Sequence, residues 1–176
     1  MPILKFLQWY LRVKIKVGIG YDIHRLVTGR KLILGGVMID FHKGLEGHSD
    51  ADVLIHAIAD ALLGALGLPN IGQVFPDTEP WTQSLNSKKI LKYARGMVNK
   101  MGYKISNIDT VIIAQEPKLS PYFDKIRESI ASILPVDVKD IGLKATTHEG
   151  LGSIGAGEAI ASIANTILIF DRKPKP

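Results

Sequence analysis

β-branched residues from Val13 to Tyr21, closing on Gly18 and Gly20, predict an opening strand. Lys31–Leu34 and Val37–Phe41 flank Gly35-Gly36, a hairpin signal, because both glycines can take the positive φ of a tight turn. Phe41–Gly47 then reads as a mobile loop. A helix is predicted from about Asp50 to Leu66, apolar nearly all round (Val53, Leu54, Ile55, Ala57, Ile58, Ala61, Leu62, Leu63) and therefore largely buried. Ser49 can cap it, Asp50 and Asp52 suit its positive end, and Gly67-Leu68-Pro69 stops it. Ser87–Met101 predicts a second helix ended by Gly102, Ile108–Gln115 a strand, Pro121–Leu134 a third helix and Ile141–Thr146 another strand. Gly150–Gly157 is glycine-rich, and Ile160–Phe170 reads as a final strand, with helix as the alternative because Ala161 and Ala164 soften the β signal. Strands and helices mixed with hairpins imply an α+β class: a single-domain α/β sandwich, one mixed sheet with helices on one face.

Composition narrows the chemistry. At 176 residues with 46% hydrophobic content the chain fits one domain with a substantial core. We divide it into an N-terminal extension (1–14), a domain (15–171) and a basic C-terminal tail (172–176). No cysteine is present, so disulfides and thiolate zinc sites are excluded and any metal must use His, Asp or Glu. That is compatible with a reducing cytoplasm, the expected location. The net charge of +5 is scattered, with no arginine-rich run and no aromatic interleaving, so a small phosphorylated ligand fits and nucleic acid is not expected. No apolar run reaches the roughly 18 to 20 residues that span a bilayer. Met1–Lys16 is basic and amphipathic but lacks the apolar core and cleavage site of a secretory signal, so it is read as a short extension rather than a membrane contact.

Asp22-Ile23-His24 is the first candidate for chemistry: strand alternation puts residues 22 and 24 on one face, where carboxylate and imidazole can converge on an ion. Asp52, His56 and Asp60 form the second, a polar stripe at i, i+4 and i+8 on an otherwise apolar helix. That stripe either faces water or is paired or metal-bound, since buried ionisable groups are costly alone. With Asp22 and His24, His56 completes two imidazoles and one carboxylate with an open fourth position, the pattern of a catalytic zinc centre. Asp52 or Asp60 could orient a ligating imidazole from behind. His48-Ser49 falls at the helix N-terminus, where free amides favour phosphate, and Ser49 serves equally as a plain cap. Lys144-Ala145-Thr146-Thr147-His148-Glu149 leaves a strand into the glycine-rich stretch. Its hydroxyls, lysine and loop amides can bind a diphosphate, and Glu149 can hold a hard cation. No Walker loop is present and the glycines are not read as a dinucleotide signature, which disfavours ordinary NTPases and dehydrogenases.

Taken in order, Gly20-Tyr21-Asp22-Ile23-His24-Arg25, Gly47-His48-Ser49-Asp50 through Asp60-Ala61-Leu62-Leu63-Gly64, Phe75-Pro76-Asp77-Thr78, Ala114-Gln115-Glu116-Pro117-Lys118 and Lys144–Glu149 resemble the 2-C-methyl-D-erythritol 2,4-cyclodiphosphate synthase family. The resemblance spans about Lys16 to Ile169. It implies a homotrimeric phosphorus-oxygen lyase of the non-mevalonate isoprenoid pathway. Its reaction converts 4-diphosphocytidyl-2-C-methyl-D-erythritol 2-phosphate into 2-C-methyl-D-erythritol 2,4-cyclodiphosphate and CMP. It further implies Asp22, His24 and His56 as zinc ligands, Glu149 as ligand of a magnesium or manganese ion, and His48 and Thr147 as transition-state stabilisers. Asp22, His24, His48 and Ser49 contact substrate; Asn70, Ile71 and Gly72 correspond to a ribose-contacting segment; Phe75, Pro76, Asp77, Thr78 and Glu79 line the methylerythritol phosphate region. Ala114, Gln115, Glu116, Pro117, Lys118, Leu119 and Ser120 form a cytosine pocket with Ala145, Thr146 and Thr147, beside His148 and Glu149, and this half and the zinc half come from adjacent subunits. The implied partners are the cytidine diphosphate substrate and further copies of the chain, with no nucleic acid and no membrane.

Three positions depart from the family pattern. Asn70 replaces a usual Asp, keeping a ribose hydrogen bond without its charge. Ser153 and Ala156 replace a usual Phe and Arg, which puts in doubt the isoprenoid-diphosphate binding of a trimer-axis cavity. A zinc-dependent phosphohydrolase, with water as nucleophile, is the rival enzyme; a non-catalytic nucleotide-binding module, in which Asp22, His24 and His56 would be structural, is the rival of a different class.

Overall fold

The computed structural model describes residues 14–171. The C-terminal tail at 172–176 and all but the last residue of the extension at 1–14 lie outside the described residues. The strands are β1 (Ile15–Thr28), β2 (Leu32–Leu34), β3 (Val37–Ile39), β4 (Lys43–Leu45), β5 (Tyr103–Ile113), β6 (Ile141–Thr146) and β7 (Ala159–Phe170). The helices are α1 (Val53–Leu66), α2 (Ile71–Val74), α3 (Ser87–Lys100), α4 (Phe123–Ile133) and α5 (Gly152–Gly155). Five strands form one mixed sheet in the order β4-β1-β7-β5-β6, with β5 and β6 parallel and the other pairs antiparallel; β2 and β3 form a separate hairpin.

Alternation along β1 divides the sheet into two environments. Gly18, Gly20, Asp22, His24 and Leu26 face α1, whereas Ile15, Val17, Ile19, Tyr21 and Ile23 project from the opposite face and are exposed. On the helix side Ile160, Ala164 and Leu168 of β7 and Ile108 and Ile112 of β5 join the core beneath α1, α3 and α4. The expected sandwich, with helices on one face of a mixed sheet, is the architecture observed.

Helix α1 is central because its sequence leaves it no polar face: twelve of its fourteen residues are buried. Its C-terminus is set by Gly67 in the left-handed region, whose N–H bonds back to the carbonyls of Gly64 and Leu63. Its N-terminus departs from expectation. Asp52, not Ser49, is the cap, accepting from the Ile55 N–H, and the same carboxylate takes the N–H groups of Gly35 and Gly36 at 2.9 and 2.6 Å. Both glycines of the β2–β3 hairpin have positive φ, as their turn requires.

The sequence understated several strands. β1 continues to Thr28, so Asp22 and His24 sit within it rather than at its end. Lys43–Leu45, expected in a mobile loop, is strand β4, paired with Leu26–Thr28 of β1, and Leu45 is fully buried. β5 begins five residues early, at Tyr103, with an irregularity between Ile105 and Asn107, and β7 is strand throughout.

Candidate metal centre and phosphate-binding cleft

Two glycines bring the candidate ligands together. A Cβ on Gly20 would lie 2.0 Å from the Ala57 carbonyl oxygen, and one on Gly18 would lie 1.9 Å from that of Ala61. Only glycine lets the backbone of α1 rest directly on β1. His56, on the first turn of α1, thereby reaches the strand: its Nδ1 is 2.9 Å from Asp22 Oδ2. His24 Nε2 is 3.0 Å from the same oxygen and 3.3 Å from His56 Nδ1. One ligand atom from each residue lies within 4.8 Å of the others, so the sequence-distant trio does converge.

Backbone and side chains outside the trio hold the rings. The chain following β4 curls over His24, with Glu46 N–H bonded to the Arg25 carbonyl at 2.9 Å. His24 Nδ1 donates to the Glu46 carbonyl at 2.6 Å, which turns Nε2 inward. His56 Nε2 meets Ser87 Oγ at 2.9 Å. Glu46 and Ser87 were not singled out in the sequence: one acts through its backbone, and the other looks like an ordinary first residue of a helix.

Burial works against the charge on Asp22, yet hydrogen bonds from His24 and His56, and their positive charge when protonated, outweigh it and hold the carboxyl well below the usual range. Burial likewise disfavours a charged His24, but the bond to Asp22 and its negative charge outweigh it and raise the imidazole above its ordinary value. Two nitrogens and a carboxylate oxygen suit zinc and other divalent ions of similar softness, and an ion would replace the protons that bridge the trio. The residues present fit a divalent metal.

Neither flanking aspartate orients an imidazole through its side chain. Asp52 is wholly buried as cap and hairpin anchor, and burial pushes it up to about 6 against three amide bonds. Asp60 accepts from the Ile71 N–H at 2.7 Å, and burial raises its pKa against that bond. It ties α2 to the metal-bearing helix. Of the predicted polar stripe, His56 therefore joins the trio, while Asp52 and Asp60 serve as backbone anchors.

A cavity of about 440 Å³ opens over the trio, lined by Asp22, His24 and His56 together with His48, Ser49, Ile71, Gly72, Phe75 and Asp77. Asn70 caps α2 in a reciprocal capping box with Gln73 and does not line this space; neither do Pro76, Thr78 or Glu79 of the same segment. Gly47, Thr82, Leu85 and Ile90 line it without having been singled out. Ser49 Oγ accepts from the Ala51 N–H at 2.9 Å, so it shapes the turn ahead of α1.

The other predicted half forms a separate cluster. Residues 114–120 follow the end of β5, residues 145–149 run from the last two positions of β6 into the loop beyond, and none lines the cavity. Asp22 pairs with Ser162, Ser162 with Ile112 and Ile112 with Ala145, which sets Asp22 and Ala145 three strand spacings apart, about 14 Å. Within this cluster Ala114 N–H donates to the Thr146 carbonyl at 3.0 Å, and Thr147 Oγ1 donates to Glu149 at 2.6 Å. Glu149, at φ 50°, offers a single exposed carboxylate. That suits a hard cation whose remaining ligands come from substrate oxygens. Gly150–Gly155 carries the literal spacing G-x-G-x-x-G, but it opens a helix of four residues and β7 returns antiparallel to β5, so no dinucleotide-binding βαβ unit exists here.

A model of the YgbB family matches residues 15–169. The 2-C-methyl-D-erythritol 2,4-cyclodiphosphate synthase of Clostridium acetobutylicum is 54% identical over 154 residues, covering 88% of this chain and 99% of its own. Among solved structures, the Plasmodium falciparum IspF–CDP complex superposes with a TM-score of 0.80 at 40% identity, over 90% of this chain and 97% of that one. The bifunctional IspDF of Campylobacter jejuni gives a TM-score of 0.86 at 40% identity over 90% of this chain, which spans 43% of that longer protein.

Proposed function

The chain belongs to the YgbB family, whose relatives are 2-C-methyl-D-erythritol 2,4-cyclodiphosphate synthases, and from that membership we propose that Asp22, His24 and His56 hold the zinc ion of such an enzyme. The reaction is that of a phosphorus-oxygen lyase of the non-mevalonate isoprenoid pathway: 4-diphosphocytidyl-2-C-methyl-D-erythritol 2-phosphate gives the 2,4-cyclodiphosphate and CMP. The observation that carries the site assignment is the convergence of the three ligand atoms at the floor of a cleft also lined by His48 and Ser49.

An oxygen of the 2-phosphate forms a bond to the β-phosphorus, and the bond from that phosphorus to the bridging oxygen of CMP breaks, so CMP leaves with the electron pair. A phosphate monoester is already largely ionised at neutral pH, its second pKa being about 6, so no strong base is needed. The work lies in bringing two anions together in line. His48 and Ser49 hold phosphate from the mouth of the cleft. His48 and Thr147 stabilise charge in the transition state. Ile71 and Gly72, beside Asn70, meet the ribose, and Phe75 to Glu79 enclose the methylerythritol phosphate. When bound, zinc at the trio and magnesium or manganese at Glu149 supply charge neutralisation at the phosphate oxygens. With both ends of the substrate held, the attack is intramolecular, which removes much of its entropic cost.

Residues 114–120 and 145–147 take the cytosine, and they face the metal half of a neighbouring copy in a homotrimer. Support comes from the distance between the two clusters within one chain and from the open sheet face, where Val17 and Ile19 are 67% and 69% exposed. Apolar surface of that extent marks an interface. The CDP held by the Plasmodium falciparum relative supports a cytidine nucleotide as ligand. A cytoplasmic location belongs to the same proposal, supported by the biosynthetic relatives; among the described residues no helix is long and apolar enough to cross a membrane.

Product analysis tests the reading. Cyclic diphosphate and CMP in equal amounts are expected from the 2-phosphorylated substrate. Linear phosphate products would identify the phosphohydrolase instead.

A further inference from the structure

We propose that Ser87 and Asp50 are positioning residues that fix the tautomer of His56, committing its Nε2 to a hydrogen bond and leaving Nδ1 as the lone pair that faces the metal site. The inference rests on the metal reading above and goes beyond the ligands themselves.

Counting protons along the chain of contacts leads to it. Ser87 has one hydroxyl proton, and it is donated to Asp50 Oδ1. Both Asp50 oxygens also accept the Ser87 backbone N–H, each at 3.1 Å, so the carboxylate approaches Ser87 from the side of its amide. With its proton spent, Ser87 Oγ can only accept from His56 Nε2, 2.9 Å away. Nε2 must then carry hydrogen. The nearest alternative partner, Ser49 Oγ, lies at 3.5 Å and already accepts from Ala51. On the other side of the ring Nδ1 points at Asp22 Oδ2. The arrangement is a carboxylate–hydroxyl–imidazole relay ending at the metal site, and its inner members are buried: Ser87 fully, with His56 6% exposed.

Backbone geometry shows how the relay is aimed. Ala51 adopts φ 55°, unusual for a residue with a Cβ, and it separates two aspartates with opposite duties. Asp50 turns to Ser87 at the start of α3, while Asp52 turns to the Gly35-Gly36 hairpin. Asp50 N–H also donates to the Leu85 carbonyl at 3.2 Å, and Ser84 N–H donates to the His48 carbonyl at 2.6 Å. The segment bearing His48 and Ser49 is thus fastened to residues 84–87, the same segment that orients His56. Metal ligand and phosphate loop share one support.

Zinc titrations of the metal-free full chain, monitored calorimetrically, test the inference alongside ¹⁵N spectra of the histidines in the zinc-loaded protein. Ser87→Ala is expected to weaken zinc binding about 10- to 100-fold, the usual loss when such a partner is removed. Ser87→Thr, which keeps the hydroxyl, should recover most of that loss. Asp50→Asn should also weaken binding, because an amide N–H facing Ser87 Oγ lets the hydroxyl proton swing to His56 and favours the opposite tautomer. The wild-type spectrum should show His56 protonated at Nε2 and not at Nδ1, a readout that stands even where Ser87→Ala fails to fold. Zinc affinity unchanged in a folded Ser87→Ala protein, or a zinc-loaded wild-type His56 that carries no proton at Nε2, would overturn the inference while leaving the metal site intact. Wild-type protein that binds no divalent ion would remove the metal reading and this inference together.

Discussion

Gly20→Ala is the most informative single change, because it adds one methyl group at the point where strand and helix touch. The new Cβ would lie 2.0 Å from the Ala57 carbonyl oxygen and 2.7 Å from the Ala61 nitrogen, both backbone atoms that cannot swing aside. Restoring even a 3.0 Å contact requires α1 to retreat by about 1 Å. Overpacking of this kind costs about 1–3 kcal/mol. In a domain of this size each kcal/mol is worth about 2–4 °C, so the melting temperature of the metal-free protein should fall by about 2–12 °C. The same retreat carries His56, next to Ala57, away from Asp22, now 2.9 Å distant. Metal sites tolerate about 0.2 Å in ligand distance, so zinc affinity should drop at least about tenfold. Gly18→Ala is the matched control, with its Cβ 1.9 Å from the Ala61 oxygen one helical turn further along. Its melting temperature should fall as far, and its zinc affinity less. Differential scanning calorimetry and zinc titration of the two variants measure both quantities. Equal zinc affinity in Gly20→Ala and wild type, with an unchanged melting temperature, would refute the claim that glycine at this contact assembles the site.

Four further outcomes are expected. Gly64→Ala, whose Cβ would find only the Ile19 carbonyl oxygen at 3.7 Å, should stabilise α1 by up to about 1 kcal/mol and raise the melting temperature. Ile19→Glu, on the open sheet face, should convert the proposed trimer to single chains as read by light scattering, and a wild type that is already a single chain would contradict the assembly. Asp60→Ala removes the acceptor of the Ile71 N–H and should raise KM several-fold while metal content stays constant by elemental analysis. The pH dependence of stability should change sign with metal above pH 6.5. Because the pKa of His24 is raised in the folded metal-free protein, its contribution is complete below its ordinary value of 6.5 and is lost as pH rises through the folded value. With zinc the ion takes the proton's place, so its stabilisation grows with pH over the same range. Melting curves with and without zinc, from pH 6.5 to 8.5, check this.

What the sequence disclosed depended on how local each cause is. Helix α1 was legible because its own residues leave no polar face, and Gly67 ends it by its own conformational freedom. Its first residue was not: Ser49 and Asp52 are both good caps, and the choice was made by the amides of Gly35 and Gly36, seventeen and sixteen positions away. β1 outran its apolar signal because Asp22 and His24 interrupt the pattern while the ladder to β7 continues through them. β4, three residues long, has too little sequence to signal anything and exists through pairing with Leu26–Thr28. At the site, residue types and strand alternation pointed to Asp22, His24 and His56, but nothing local points to Ser87. Its importance comes from a contact with a histidine 31 residues earlier.

The claim underlying the account is that Asp22, His24 and His56 act together on one divalent ion. Zinc titration of metal-free wild type against His56→Ala, with elemental analysis of both, tests it most directly. One ion per chain in the wild type, and the loss of that ion in a folded His56→Ala protein with cyclodiphosphate formation abolished, is the predicted result. Full zinc binding and undiminished turnover in His56→Ala would contradict it.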